Sequence, residues 1–148
     1  MRIDDAPNRT PQLVEALLNI WERSVRSTHA FLGEADITRI RAYVPQAIAG
    51  VERLAVAYAE DGHPLGFAGV NGKALEMLLV DADVRGTGVG SALLHRVVDI
   101  WHAQELEVNE QSPQAVGFYE HMGFVAFDRR ETDDRGEPYP LLRLRLEA

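Results

Sequence analysis

The apolar residues of this 148-residue chain change their period several times along its length, and each change marks an element. Val14, Leu17, Leu18, Trp21 and Val25 recur at helical spacing. Thr10-Pro11 stands before them, a hydroxyl cap followed by proline at the first helical position. The pattern fades over residues 26–33, where Phe31 and Leu32 sit among hydroxyls and His29. A second helical pattern runs through Ile37, Ile40, Val44, Ala47, Ile48 and Val51. Pro45 interrupts it, which predicts a kink or two short helices. Residues 54–59, 65–70 and 73–80 then read as strands separated by Asp61-Gly62 and Asn71-Gly72, the second pair a strong hairpin signal.

That antiparallel meander leads into a glycine-rich turn, after which Leu93, Leu94, Val97, Val98 and Trp101 restore helical spacing. A short strand over 106–108 completes a strand–helix–strand crossover whose strands should pair in parallel. Ser112-Pro113 opens another helix by the same hydroxyl-plus-proline rule, and Gly123 closes it. A strand over 124–129 and the polar turn Asp133-Asp134-Arg135-Gly136 lead to a last strand. There Leu142, Leu144 and Leu146 alternate with Arg143 and Arg145, the pattern of a strand covered on one face. No repeat, linker or low-complexity stretch interrupts the chain, and its length suits one domain with a single sizeable core.

Composition narrows the function classes. The net charge of −8 argues against nucleic acid as a partner, because phosphate backbones demand clustered cations, and it is compatible with attracting an amine. With no cysteine there is no disulfide framework, thiolate metal site or thiol nucleophile. No apolar run is long enough to span a bilayer, so no membrane partner is expected. The first residues lack the apolar core of a signal peptide, which makes the cytoplasm the expected compartment. His95, His102 and His121 match no metal-ligand spacing, so no metal is expected.

The candidate chemistry lies in the turn Arg85-Gly86-Thr87-Gly88-Val89-Gly90-Ser91. Glycines remove the Cβ atoms that block close approach, so backbone N–H groups can converge on an anion. The helix that opens there adds its free N–H groups and the positive end of its dipole, and Arg85 adds a cation. A Walker A loop needs a Gly-Lys-Ser/Thr ending, which is absent. A dinucleotide fingerprint needs its last glycine one position later than Gly90, although Glu107 lies about twenty positions on, where a ribose ligand belongs. A diphosphate-binding loop is the reading; a nucleotide cofactor and a turn without ligand remain alternatives at this point.

Arg-Gly-x-Gly-x-Gly resembles the pyrophosphate loop of the GNAT superfamily of acetyl-CoA-dependent N-acyltransferases. A second motif of that superfamily, Asn-x-x-Ala-x-x-x-Tyr-x-x-x-Gly-Phe, is matched by Ala115, Tyr119, Gly123 and Phe124, with Ser112 in the asparagine position. The chain is also similar to a small bacterial group within the superfamily. The shared runs are Trp-x-x-Ser-Val-x-x-Thr-His-x-Phe-Leu from Trp21, Val-Asn-Glu-Gln from Val108 and Gly-x-Pro-Tyr-Pro-Leu-Leu from Gly136. The resemblance implies a single GNAT domain over residues 1–148, of α/β (α+β) class. Its central sheet would be mixed and largely antiparallel, with about six to seven strands flanked by helices.

It also implies acetyl-CoA as co-substrate, with the acceptor a small-molecule amine or a protein or peptide amine, in a monomer or homodimer. By resemblance the pyrophosphate falls to Arg85, Gly86, Thr87, Gly88, Val89, Gly90 and Ser91. The pantetheine arm falls to the backbone around Leu78, Leu79 and Val80, lying as a mock strand between that strand and the one holding Glu107. Ser112 replaces an asparagine that reaches the cofactor while remaining a good N-cap, and Asn109 is the candidate for the missing amide. The reaction implied is direct attack of a bound amine on the thioester.

Acyl transfer to an amine needs a proton for the departing thiolate, and a phenol with a pKa of about 10 stays protonated to give one. Tyr119 is the expected general acid, although its place on the face Ala115, Phe118, Tyr119 and Met122 also suits a core residue. Glu107, then Glu76, then His29 are the candidate bases, with Glu76 on the side of Leu78 and Val80 by strand alternation. Residues 26–33, with His29 and Phe31, and residues 136–140 are expected to wall the acceptor. The alternative function is a GNAT-like protein that binds acyl-CoA without turnover.

Overall fold

Thr10 caps the first helix: its hydroxyl accepts the Leu13 N–H at 3.2 Å, Pro11 takes the first position, and α1 runs over Pro11–Thr28. Its apolar stripe buries Leu17, Leu18, Ile20, Trp21 and Val25. The computed structural model describes residues 1–147, which group into two units, Met1–Ala103 and the residues from Gln104 onward. In the first unit the interruption by Pro45 produces two short helices, α2 (Glu34–Arg41) and α3 (Val44–Gly50). The break falls before the proline, which sits in the first turn of α3 where a missing N–H costs no helical bond.

The sheet of this unit is an antiparallel meander, β1 (Arg2–Asp5), β2 (Arg53–Tyr58), β3 (Pro64–Asn71) and β4 (Ala74–Val80). The hydrophobic pattern does not announce β1, whose Arg2, Asp4 and Asp5 are exposed charges that suit a sheet edge. At the Asn71-Gly72 signal, Asn71 still belongs to β3 and pairs with Ala74, leaving Gly72, at φ 57°, and Lys73 as the turn. The Asn71 side-chain oxygen accepts the Glu52 N–H at 2.7 Å and so ties the turn to the start of β2.

Leu54, Val56 and Phe67 pack with Leu17, Ile20, Trp21, Ile37 and Ile48 into one cluster under α1, α2 and α3. The intervening positions Ala55, Ala57, Gly66 and Ala68 are small. Against them lies α4 (Val89–Trp101), with Leu93, Leu94 and Val97 fully buried. A Cβ at Gly66 would stand 2.7 Å from the Leu79 carbonyl oxygen and 3.3 Å from Leu93, so glycine permits this close approach. At the far end of α3, Arg9 donates to the carbonyls of Ile48, Ala49 and Val51, capping the helix with a cation.

Asp81 follows β4 and is 7% exposed. Its N–H bonds the Leu65 carbonyl at 2.8 Å, and Oδ1 accepts the Asp83 N–H at 3.2 Å, starting a single 3-10 turn over Ala82–Val84. Arg23 of α1 grips both carboxylate oxygens, Nη2 to Oδ2 at 2.5 Å and Nε to Oδ1 at 3.3 Å. The end of the sheet, the turn into the glycine loop and α1 are thus fastened at one side chain.

The second unit contains β5 (Glu105–Asn109), α5 (Pro113–His121), β6 (Phe124–Arg130) and β7 (Leu141–Leu146). Its strands are antiparallel in the order β5-β7-β6. Leu106, Val108, Tyr119, Phe124 and Leu144 are buried, and on the polar face Glu105 lies opposite Arg145 and Glu107 opposite Arg143. The polar turn is organised by Asp133, whose Oδ1 accepts the N–H groups of Arg135 and Glu137, each at 2.9 Å. Phe127, the extra residue of a β-bulge, has the guanidinium groups of Arg143 and Arg145 each 5.1 Å from its ring.

The grip of Arg23 holds the Asp81 carboxyl below the usual carboxylate range, against a smaller upward pull from burial. A lowered folded-state pKa contributes stability that is present above the unfolded value of about 3.9 and is lost as pH falls through the folded value. Asp81→Asn should therefore cost about 1–2 kcal/mol at pH 7, less than a fully buried pair because Arg23 is half exposed. Urea denaturation at several pH values should show that deficit narrowing below about pH 4.

Candidate active site

The glycine loop is built by backbone conformation. Gly86, at φ +79°, and Gly88, at φ +92°, occupy the left-handed region that side chains resist. Gly88 is the N-cap of α4 without a side chain, and nothing lies within 4 Å of where a Cβ would stand at either glycine. The first-turn N–H groups of α4 have no partner further back in the helix, so an open, exposed backbone faces outward at the positive end of a helix dipole. Thr87 donates its hydroxyl to the Val84 carbonyl and tightens the turn. Val89 is buried, so it can offer a ligand only its backbone. Gly90 and Ser91 are half-buried. Arg85 is exposed, and its guanidinium donates to the Ser27 hydroxyl on the last turn of α1. This cradle fits a diphosphate.

Leu78, Leu79 and Val80 are half-buried on β4, opposite Ala68, Phe67 and Gly66 of β3. Glu76 corrects a simple reading of that strand. Met77 pairs with Gly69 and Leu75 with Val70, which makes Glu76 the extra residue of a β-bulge. Alternation counted back from Val80 and Leu78 therefore stops short of Glu76. His29 caps the C-terminus of α1, half-buried, and its ring lies 5.2 Å from that of Phe31. Arg23 and Ser27 are the neighbours that sequence reasoning missed. Asp81 and Arg85 bind them across 58 positions, and neither residue belongs to a motif that would signal it.

In the second unit, Ser112 and Tyr119 stand seven residues apart on one face of α5. Ser112 occupies the N-cap position, but its side chain caps nothing, which corrects the expectation drawn from its residue type. It is 1% exposed, and its hydroxyl has no partner among the described residues. Its N–H goes to the Asn109 carbonyl at 3.0 Å, while the Asn109 side-chain oxygen accepts the Gln111 N–H at 2.8 Å, leaving the amide NH2 as the end that can reach a ligand. Tyr119 is 8% exposed, set edge-on against Phe118 and Phe124 at 5.2 and 5.9 Å. Its hydroxyl also lacks a partner among the described residues, and burial raises its pKa above the ordinary phenol value. Glu107 is engaged: Arg130 reaches its carboxylate at 3.0 Å and also pairs with Asp134.

Among the described residues no cluster of His, Asp or Glu could hold a metal ion, and no helix is long and apolar enough to cross a membrane. Residues 34–139 match the family model described as "Acetyltransferase (GNAT) domain". The chain is 41% identical to peptidyl-lysine N-acetyltransferase YjaB of Salmonella typhimurium, over 88% of this chain and 89% of that protein. It is 42% identical to the Escherichia coli K12 protein of the same name, over 88% of each. The solution structure of apo YjaB from Escherichia coli superposes with a TM-score of 0.87 at 39% identity, covering 98% of this chain and 97% of that one. An open glycine cradle at a helix start, a buried tyrosine after it, this family match and relatives of this closeness lead to one conclusion: the chain belongs to the GNAT family and is an acetyl-CoA-dependent N-acyltransferase.

Proposed function

We propose that the protein transfers an acetyl group from acetyl-CoA to the side-chain amine of lysine in a peptide or protein, by direct attack, with Tyr119 as general acid. Two kinds of support meet here. The relatives are peptidyl-lysine N-acetyltransferases by name and align over most of their length. The observation that carries the chemistry is Tyr119. The residue is 8% exposed and its hydroxyl has no partner among the described residues, so its proton is free to be given to a ligand.

Acetyl-CoA supplies the thioester, whose acyl carbon exchanges a bond to sulfur for one to nitrogen. Arg85 and the backbone N–H groups of residues 86–91 hold its diphosphate, through charge and a helix N-terminus. The backbone of Leu78, Leu79 and Val80 takes the pantetheine arm by strand addition, and the Asn109 amide and the Ser112 hydroxyl supply further polar contacts. Tyr119 keeps its proton throughout the physiological range because its burial penalises the phenolate. It therefore holds a proton ready at Oη for the departing sulfur. We read residues 1–148 as one catalytic domain, because the family match runs from 34 to 139.

Gly88→Val puts a branched side chain on a left-handed residue in the open cradle and should abolish acetyl-CoA binding in calorimetry while far-ultraviolet circular dichroism stays native. Wild type that binds NAD and ignores acetyl-CoA would sink the cofactor assignment. Tyr119→Phe should separate function from stability. Turnover on a lysine-containing peptide, read by thiol release and mass spectrometry, should fall by roughly 10²–10⁴ with cofactor affinity unchanged. The same variant should unfold at equal or higher urea concentration, because the hydroxyl it loses was unpartnered. Full turnover would return Tyr119 to the core.

A further inference from the structure

The last turn of α1 carries a chain of hydrogen bonds that leads from the glycine loop to an imidazole. Arg85 donates to the Ser27 hydroxyl. The Ser27 hydroxyl donates to the Ser24 carbonyl at 2.9 Å, and the Thr28 hydroxyl donates to the same carbonyl at 2.8 Å. Thr28 Oγ1 lies 2.7 Å from Nδ1 of His29. A threonine hydroxyl has one proton, and a carbonyl oxygen can only accept, so the proton of Thr28 is committed to Ser24. Oγ1 must then accept from His29, which fixes the proton on Nδ1. Nε2 is left with its lone pair, and it has no partner among the described residues. Neutral imidazole, one tautomer, one free basic nitrogen: the network prepares a base.

We propose that His29 is the general base of the transfer, taking a proton from the acceptor amine at Nε2. This rests on the acetyltransferase reading above. The two carboxylates favoured by sequence are less suited: Glu107 is bound by Arg130, and Glu76 sits exposed in a bulge. His29 is half-buried beside Phe31, two residues beyond the serine that contacts Arg85, so its turn is tied to the cofactor cradle. The charged groups on α1 and the elements packed against it are largely committed elsewhere. Arg26 pairs with Glu22 and Glu34, Arg41 with Glu22, Arg39 with Asp36, and Arg23 with Asp81. Glu15 of α1, Glu76 of β4 and Asp83 of the 3-10 turn complete the set, and α3 and β3 contribute no charged side chain. None of these acts on the ring, whose pKa is lowered by burial alone, which keeps it neutral at pH 7.

The protons balance. A lysine side chain loses one proton to solvent on becoming the attacking amine, because its ammonium, with a pKa of about 10.4, is too weak an acid to protonate the imidazole. As the N–C bond forms and the C–S bond breaks, Nε2 takes a second proton from the nitrogen. That proton restores, through water, the one Tyr119 gives to sulfur, so each turnover releases one proton. A forming N–C bond makes the nitrogen strongly acidic, so a weak base that is unprotonated at working pH suffices.

Two measurements on the full chain decide it. In protein labelled with nitrogen-15 at histidine, NMR should show neutral His29 as the Nδ1–H tautomer with a midpoint below about 6.5. The Nε2–H tautomer, or a midpoint at or above that value, overturns the assignment whatever the acceptor. With saturating acetyl-CoA and a lysine-containing peptide, the acidic limb of wild-type kcat should follow that midpoint. His29→Gln should lose roughly 10²-fold or more in kcat and lose the limb, with acetyl-CoA affinity unchanged. Undiminished kcat in His29→Gln overturns the inference. Wild type that acetylates no peptide counts against the acceptor proposed above, while the NMR result still judges His29.

Discussion

The carboxylate of Asp81 is the point on which the cofactor side of the molecule depends. One side chain receives a bidentate arginine from α1 and the N–H that starts the 3-10 turn, while its backbone closes onto β3. A glycine loop has little stiffness of its own, because glycine surrenders the most conformational freedom on ordering. Its geometry must come from the ends, and here one end is this ionic clamp and the other is a helix whose Leu93, Leu94 and Val97 are fully buried. The same clamp holds the C-terminal half of α1 against the turn. It thereby brings Ser27 within reach of Arg85, while the bonds of Ser27, Thr28 and His29 around the Ser24 carbonyl are local to the helix.

The second unit shows the opposite economy. Its charged face is matched across the β5–β7 ladder, while the hydroxyls of Ser112, at the start of α5, and Tyr119, within it, have no partner among the described residues. One stands at the N-cap and the other seven residues on, so this helix keeps two hydroxyl donors that no described residue uses. Ser112 sharpens the point. A serine at a helix start ordinarily caps, and this one does not.

Much of this was legible in the chain. The Thr10-Pro11 start, the break near Pro45, the glycine loop and the Arg/Leu alternation of β7 all follow from local rules of capping, ring geometry and period, and the family itself is written in the two motifs. What stayed hidden depends on distant partners or on register. β1 is four residues without an apolar stripe and exists because β2 offers it an edge. The bulge at Glu76 is a mismatch between two strands, invisible in either one. Glu107 reads as a free carboxylate until Arg130 is placed beside it, and the tautomer of His29 depends on a threonine proton spent on a carbonyl four residues back.

The central claim is that backbone amides of the glycine loop hold the diphosphate of acetyl-CoA. Titrating acetyl-CoA into nitrogen-15-labelled protein tests it directly. The amide signals of Gly86, Gly88, Val89 and Gly90 should shift and saturate together, while those of the turn at Asp133 to Gly136 stay in place. Loop amides that ignore acetyl-CoA, or that respond equally to NAD, would contradict the account.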